Sequence, residues 1–156
     1  MTTVATHRPD GGELLARTLA EAGVEHVFAL HGGHLESFWQ GCVRHGLQLT
    51  DFRHEASAGH AADAYARTTG RLGVCAITSG PGFTNAITAI ANAFLDGIAV
   101  LFIVGSPPLR DAETNPLQGG IDQIAMALPS VKWAHRVTHT ERIPELLRLA
   151  LGKCVA

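Results

Sequence analysis

Cysteine is scarce and badly placed for cross-linking. The three cysteines, Cys42, Cys75 and Cys154, are odd in number, far apart and in no CxxC arrangement, which fits a reducing compartment better than a disulfide framework. Cys75 lies in an apolar run and reads as buried packing. A basic stripe is also missing: 12 Lys and Arg are scattered against 14 Asp and Glu, for a formal net charge of -2. Phosphate-backbone binding is therefore unsupported, and nucleic acid is not an expected partner. Long apolar runs are absent too. The longest, Ile98–Val104, is far too short to span a bilayer, and the opening MTTVATHRPD lacks the apolar core of a signal peptide. The expectation is a cytoplasmic protein with no membrane partner.

Several nucleotide and metal motifs are lacking as well. There is no GxGxxG and no GK[ST], so neither dinucleotide nor triphosphate binding is specified. Gly80-Pro81-Gly82 taken alone is plain turn geometry. His54-Glu55 invites a zinc reading, but the next histidine, His60, is six residues on. A metalloprotease pair needs its histidines four apart on one helix face, so no metal site is expected on this chain.

What is present is the pattern of one globular domain. A chain of 156 residues, 46% hydrophobic and 17% charged, is ordinary for a folded protein with a real core. Residues 1–10 read as a frayed tail and 11–156 as the domain. Leu14, Leu15, Thr18, Leu19 and Ala22 recur at helical spacing, and Gly23 stands where a C-cap glycine belongs, so Gly12–Ala22 is a predicted helix. The alternation then repeats. Predicted strands cover Val24–Leu30, Leu47–Arg53, Leu72–Thr78 and Ile98–Val104, with predicted helices over Leu35–Arg44, Glu55–Thr69 and Phe83–Leu95. Gly105–Gly120 is a long loop of the kind that carries a site or an interface. A short helix over Ile121–Ala127, a strand near Lys132–Val137 and a helix over Ile143–Leu151, with Pro144 in its first turn, complete the unit. Strands separated by helices of this length define an α/β fold of three layers, a mainly parallel sheet with helices on both faces.

The stretch Arg53–Arg67, RHEASAGHAADAYAR, is the centre of interest. Glu55 stands where a strand ends and an alanine-rich helix begins, and in an open α/β sheet ligands bind outside the carboxyl ends of the strands. A carboxylate among small apolar neighbours is also a natural proton exchanger. The plainer role of such an acid is to complement the helix macrodipole. His31 and His34 flank a diglycine at the end of the first strand, on the sheet edge expected to carry Glu55 and Ser79. Two ring nitrogens there could shuttle protons, or simply bond the turn. His60 is expected to pack against a neighbour, and Asn85 to cap or pack its helix.

Four ordered segments carry a family resemblance: GGELLARTLAEAGVEHVFALHGGH, RHEASAGHAADAYART, ITSGPGFTNAITAIANAFLDGIAVLFIVGS and LQGGIDQIAMALPSVKWAHRV. Together they resemble the N-terminal, pyrimidine-binding domain of thiamine-diphosphate enzymes of the acetolactate synthase and benzaldehyde lyase group, from about Gly11 to the end. LHGGH, ETNPLQGGIDQ and KWAHRV look closest to benzaldehyde lyase. The resemblance implies that Glu55 pairs with the ring nitrogen of the cofactor's aminopyrimidine and favours its imino tautomer. It implies further that Gly33 and His34 lie near the reactive carbon, and that Gln118 orients substrate or relays protons. Ser79, Gly80 and Asn85 would shape the pyrimidine pocket. The implied chemistry makes or breaks a C–C bond of a 2-hydroxyketone, with small aldehydes or 2-keto acids as substrates and the cofactor as electron sink.

Full-length members of that group continue into a domain whose GDG triplet helps hold the Mg²⁺ that anchors the diphosphate. No GDG occurs here. The resemblance thus implies half a site: the pyrimidine end only, with Mg²⁺ on a diphosphate-binding domain supplied in trans or on a longer chain. Three forms are open, namely a fragment of a longer enzyme, one subunit of a two-component decarboxylase, or a non-catalytic interaction module. In each, the small-residue helices Ala56–Ala66 and Asn85–Ala93 are expected to present a partner surface, in a homodimer or homotetramer.

Overall fold

The computed structural model describes residues 8–111, 114 and 117–156. Helix α1, Gly11–Glu21, begins where the Asp10 side chain accepts from the Glu13 N–H at 2.9 Å, an N-cap that satisfies one of the helix's free donors. It ends at Ala22, with Gly23 at φ 80°. Strand β1, His26–Ala29, and a single 3₁₀ turn at Gly33–Leu35 lead into helix α2, Glu36–Arg44. Then come β2, Gln48–Asp51; α3, Glu55–Thr69; β3, Gly73–Ile77; α4, Pro81–Leu95; and β4, Val100–Val104. After the long loop stand α5, Gln123–Ala127, and α6, Ile143–Val155.

All four strands are parallel, in the order β2-β1-β3-β4. Side chains alternate between two cores because a strand's period is two. Val27, Ala29, Val74, Ala76 and Leu101 pack under α1, α2 and α6. Cys75, Ile77 and Phe102 pack under α3 and α4. The predicted three-layer α/β class is what the chain adopts. Since β1 leads to β2 on one side and β3 lies on the other, the order reverses at β1 and β3, and their carboxyl ends open the crevice of a topological switch point.

Tight packing explains several residue choices. A Cβ added to Gly59 would fall 2.5 Å from the Ala89 Cβ, so the small residues of α3 serve first to let α4 of the same chain approach. Buried Asp63 then ties the pair together, accepting from Arg67 and from Asn92 Nδ2 at 2.9 Å. Burial pushes the Cys42 and Cys75 thiols up to about 12, so both stay protonated and act as packing.

Glu13 fastens α1 to α2, accepting from His45 Nε2 and from the Arg44 guanidinium with only 15% of its side chain exposed. Those hydrogen bonds, His45 first, hold its carboxyl below the usual range. A depressed carboxyl contributes stability that is present above the unfolded value, about 4.3, and lost as pH falls through the folded one. Glu13→Gln is therefore expected to lower Tm at pH 7, with the gap to the native chain closing below about pH 4. Circular-dichroism melts in half-unit pH steps measure it.

Two expectations need correction. Lys132–Val137 is not a strand: the segment is extended, with the Trp133 and His135 rings stacked 5.4 Å apart at 14°, yet among the described residues β4 has β3 as its only ladder partner. An extended backbone becomes a strand only with a ladder. His60 does not pack against a neighbour but is exposed on α3. Element ends also shift: α4 starts at Pro81, α5 starts at Gln123, β1 shortens to His26–Ala29, and α6 runs past Leu151 to Val155.

Candidate functional site

Glu55 is the first residue of α3 and is 7% exposed. It comes to that place because the ladder of β2 on β1 closes with Phe52 N–H bonded to Ala29 O, and His54, extended, caps the helix by accepting from Ala56 N–H at 3.2 Å. His54 is thus a cap residue. Across from α3, Asn85 Nδ2 donates to Glu55 Oε2 at 2.9 Å, which fixes the carboxylate and leaves Oε1 without a side-chain partner among the described residues. Beside Oε1 stands Gly82, where an added Cβ would lie 3.3 Å from that oxygen and 2.6 Å from the Thr78 methyl. The absent side chain keeps a small space open in front of the acid.

A second group sits at the same edge. His34 Nδ1 lies 3.3 Å from both Thr78 Oγ1 and Ser79 Oγ, and Thr78 Oγ1 donates to Gln118 Oε1 at 3.1 Å. Gln118 holds a left-handed backbone, φ 58°, with its carbonyl oxygen pressed against Gly80. Gly33 is exposed, and a Cβ added there would meet nothing within 4 Å, so it borders open space.

The structure therefore brings together Glu55, Asn85, His34, Ser79, Gln118, Gly33 and Gly80 in two linked groups. Glu55 joins Asn85, and His34 joins Ser79 and Gln118, with Gly33 and Gly80 in the adjoining turns. His31 is not among them: it pairs with Glu36 at 3.0 Å on the surface. Asn85 turns out to be neither a cap nor mere packing.

Two residues escaped the sequence reading. Thr78 bridges the two groups, its methyl toward Gly82 and its hydroxyl toward His34 and Gln118. Gln123, 9% exposed, accepts from Gly80 N–H at 2.8 Å and donates to Gly105 O at 3.1 Å, stapling the β3–α4 turn to the end of β4. Its partners are 43 and 18 residues away, so no local pattern could reveal it. Thr78→Val keeps the shape but removes the bridging hydroxyl. It is expected to cost about 1–2 kcal/mol of stability in chemical denaturation, whereas Thr78→Ser should retain most of it.

A buried, amide-held carboxylate thus stands at the switch point of a parallel sheet, the place where open α/β sheets bind their ligands. Residues 9–126 match the thiamine pyrophosphate enzyme, N-terminal TPP binding domain family, and the chain belongs to that family. It is 40% identical over 142 residues to 2-hydroxyacyl-CoA lyase 2 of Bos taurus, covering 91% of this chain and 22% of that protein. It is 38% identical over 151 residues to acetolactate synthase of Arthrospira platensis, covering 92% and 25%. The acetolactate synthase large subunit of Buchnera aphidicola is 39% identical over 145 residues, 90% and 24%. The chain spans about a quarter of the length of these relatives. No described helix is long and apolar enough to cross a membrane.

Proposed function

We propose that this chain is the pyrimidine-binding portion of a thiamine-diphosphate-dependent lyase or carboligase that makes or breaks C–C bonds of 2-hydroxyketones. The observation that carries the reading is Glu55: a buried acid with one oxygen held by Asn85 and the other facing the space left by Gly82. That donor set and that gap fit the flat, nitrogen-bearing edge of an aminopyrimidine. When bound, the cofactor supplies the electron sink for the carbonyl chemistry.

Glu55 Oε1 holds and exchanges a proton with the ring edge, while Asn85 keeps the carboxylate from turning away. Thr78 and Ser79 hold His34 by Nδ1, which leaves Nε2 to exchange protons with the substrate oxygen, and Gln118 orients that substrate. Gly33 admits it without adding bulk. The donors for Mg²⁺ and the diphosphate contacts come from a diphosphate-binding domain, on a longer chain or in trans, and the working form is a cytoplasmic homodimer or homotetramer. The names of the relatives favour a 2-hydroxyacyl-CoA substrate or an acetolactate product, and the LHGGH turn, similar to that of benzaldehyde lyase, favours small aromatic or aliphatic 2-hydroxyketones.

The test is reconstitution. The chain alone is expected to show no turnover, and the chain joined to a diphosphate-binding domain should release or ligate aldehyde only with thiamine diphosphate and Mg²⁺ added. Cofactor-dependent turnover by this chain alone contradicts the half-site reading. No cofactor binding even with that domain favours an interaction module instead.

A further inference from the structure

His34 Nδ1 has one position in the ring plane for a hydrogen bond, yet two hydroxyls stand 3.3 Å from it, Thr78 Oγ1 and Ser79 Oγ. Both residues are buried. They follow one another just after β3 has ended, so the turn of the chain, rather than the alternation of a strand, brings both to one atom. Glycine lets the ring come this close. A Cβ on Gly105 would fall 3.0 Å from the His34 Cβ, and one on Gly32 would fall 2.3 Å from the Thr78 Cβ. A neutral imidazole carries a single ring hydrogen, and which nitrogen holds it is set by the bond that the other nitrogen makes.

Thr78 has another use for its hydrogen, at Gln118 Oε1, 3.1 Å away. Ser79 does not: among the described residues its hydroxyl has no hydrogen-bond partner but His34 Nδ1. With the ring hydrogen on Nδ1, the Ser79 hydrogen would be buried without an acceptor, a costly arrangement that folded proteins avoid. With the ring hydrogen on Nε2, Ser79 donates to Nδ1, Thr78 donates to Gln118, and no buried hydrogen is orphaned. Nε2 has no protein partner among the described residues, and the ring is only half-buried, so its hydrogen is left for solvent or a ligand. Turning the Gln118 amide over gives the same answer. Its N–H would then donate to Thr78 Oγ1 and send the Thr78 hydrogen to Nδ1 as well.

We propose that Ser79 is a positioning residue that fixes neutral His34 as the Nε2–H tautomer, so that the ring meets a ligand's oxygen with a hydrogen and not a lone pair. Ser79 thus serves the histidine group of the site. The tautomer itself stands on the hydrogen-bond geometry alone, whereas its use rests on the reading of this edge as a place of carbonyl chemistry. On that reading the Nε2 hydrogen is a bond donor at the substrate oxygen, where negative charge develops, and it stabilises that charge with an uncharged ring.

Nitrogen-15 NMR of the imidazole rings tests it in the 156-residue chain, with no cofactor needed. Long-range proton–nitrogen spectra, recorded well above the ordinary histidine value of about 6.5 so that the ring is neutral, tell the hydrogen-bearing nitrogen from the bare one. His34→Gln assigns the signals by their loss. The native chain should show Nε2–H in at least about tenfold excess over Nδ1–H, the preference that one orphaned buried hydroxyl supplies. Ser79→Ala should raise the Nδ1–H form about tenfold, because Thr78 Oγ1 can then accept from it. Thr78→Val removes the other hydroxyl at the same distance and should leave Nδ1 bare. The amide spectrum of each variant reports that it is folded. In the enzyme completed by its diphosphate-binding domain, Ser79→Ala should lower kcat about tenfold with a smaller change in KM. Nδ1–H in the native chain, a Ser79→Ala ring like the native one, or an unchanged kcat beside a shifted tautomer overturns the proposal. A native completed enzyme without turnover tells against the carbonyl reading and leaves the tautomer result standing.

Discussion

Glu55→Gln, in the enzyme completed by its diphosphate-binding domain, is expected to lower kcat by about 10²–10⁴-fold, the usual worth of a positioned proton-transfer group. The substitution is nearly isosteric, and the new side-chain oxygen can still accept from Asn85 Nδ2, so the 2.9 Å contact and the fold should survive. What disappears is the exchangeable proton at Oε1. The loss should therefore fall on kcat, with stability within about 1 kcal/mol of the native value, as for a substitution that makes no cavity. Asn85→Ala separates the two roles, since it removes the group that orients the acid but leaves the acid. It should cost less in rate than Glu55→Gln. An unchanged kcat in Glu55→Gln would falsify the assigned role.

A large loss of stability is expected from Gly73→Ala at the start of β3. A Cβ there would stand 2.2 Å from the Ala62 carbonyl oxygen and 2.8 Å from its carbonyl carbon, which are backbone atoms of α3 and have nowhere to move. Overpacking of this kind costs at least the upper end of roughly 1–3 kcal/mol, and loss of folding is within its range. Gly70→Ala, three residues earlier, is the informative contrast. Gly70 holds φ 69° with nothing within 4 Å of an added Cβ, so only the left-handed backbone penalty applies, about 1–2 kcal/mol. Denaturant melts of the two variants should rank Gly73→Ala far below Gly70→Ala. The reverse order would show that backbone conformation, not the approach of α3 to β3, sets the demand for glycine there.

Much of the fold was legible because it rests on local periodicity. Helix α3 matches its predicted span of Glu55–Thr69, and β3 lies inside the predicted Leu72–Thr78. Where the reading failed, the deciding interaction was not local. KWAHRV has the residues of a strand, but a strand also needs a neighbour at ladder distance, and among the described residues β4 is paired only with β3. The small residues of α3 signalled a close approach without saying to what. Gly59 against Ala89 shows that α4 of the same chain is one answer.

The sequence by itself determined the parallel α/β architecture, the position of Glu55 at a strand-to-helix junction, and the presence of histidine and glycine in the turn after β1. These follow from the spacing of apolar residues and from turn chemistry, which act over a few positions. Only the tertiary structure decided that Asn85 holds Glu55, that Thr78 links His34 to Gln118, and that Gln123 staples Gly80 to Gly105. Those contacts join residues 18 to 44 positions apart. Hydrogen bonds act over about 3 Å, so which distant groups meet is set by strand order, register and helix packing.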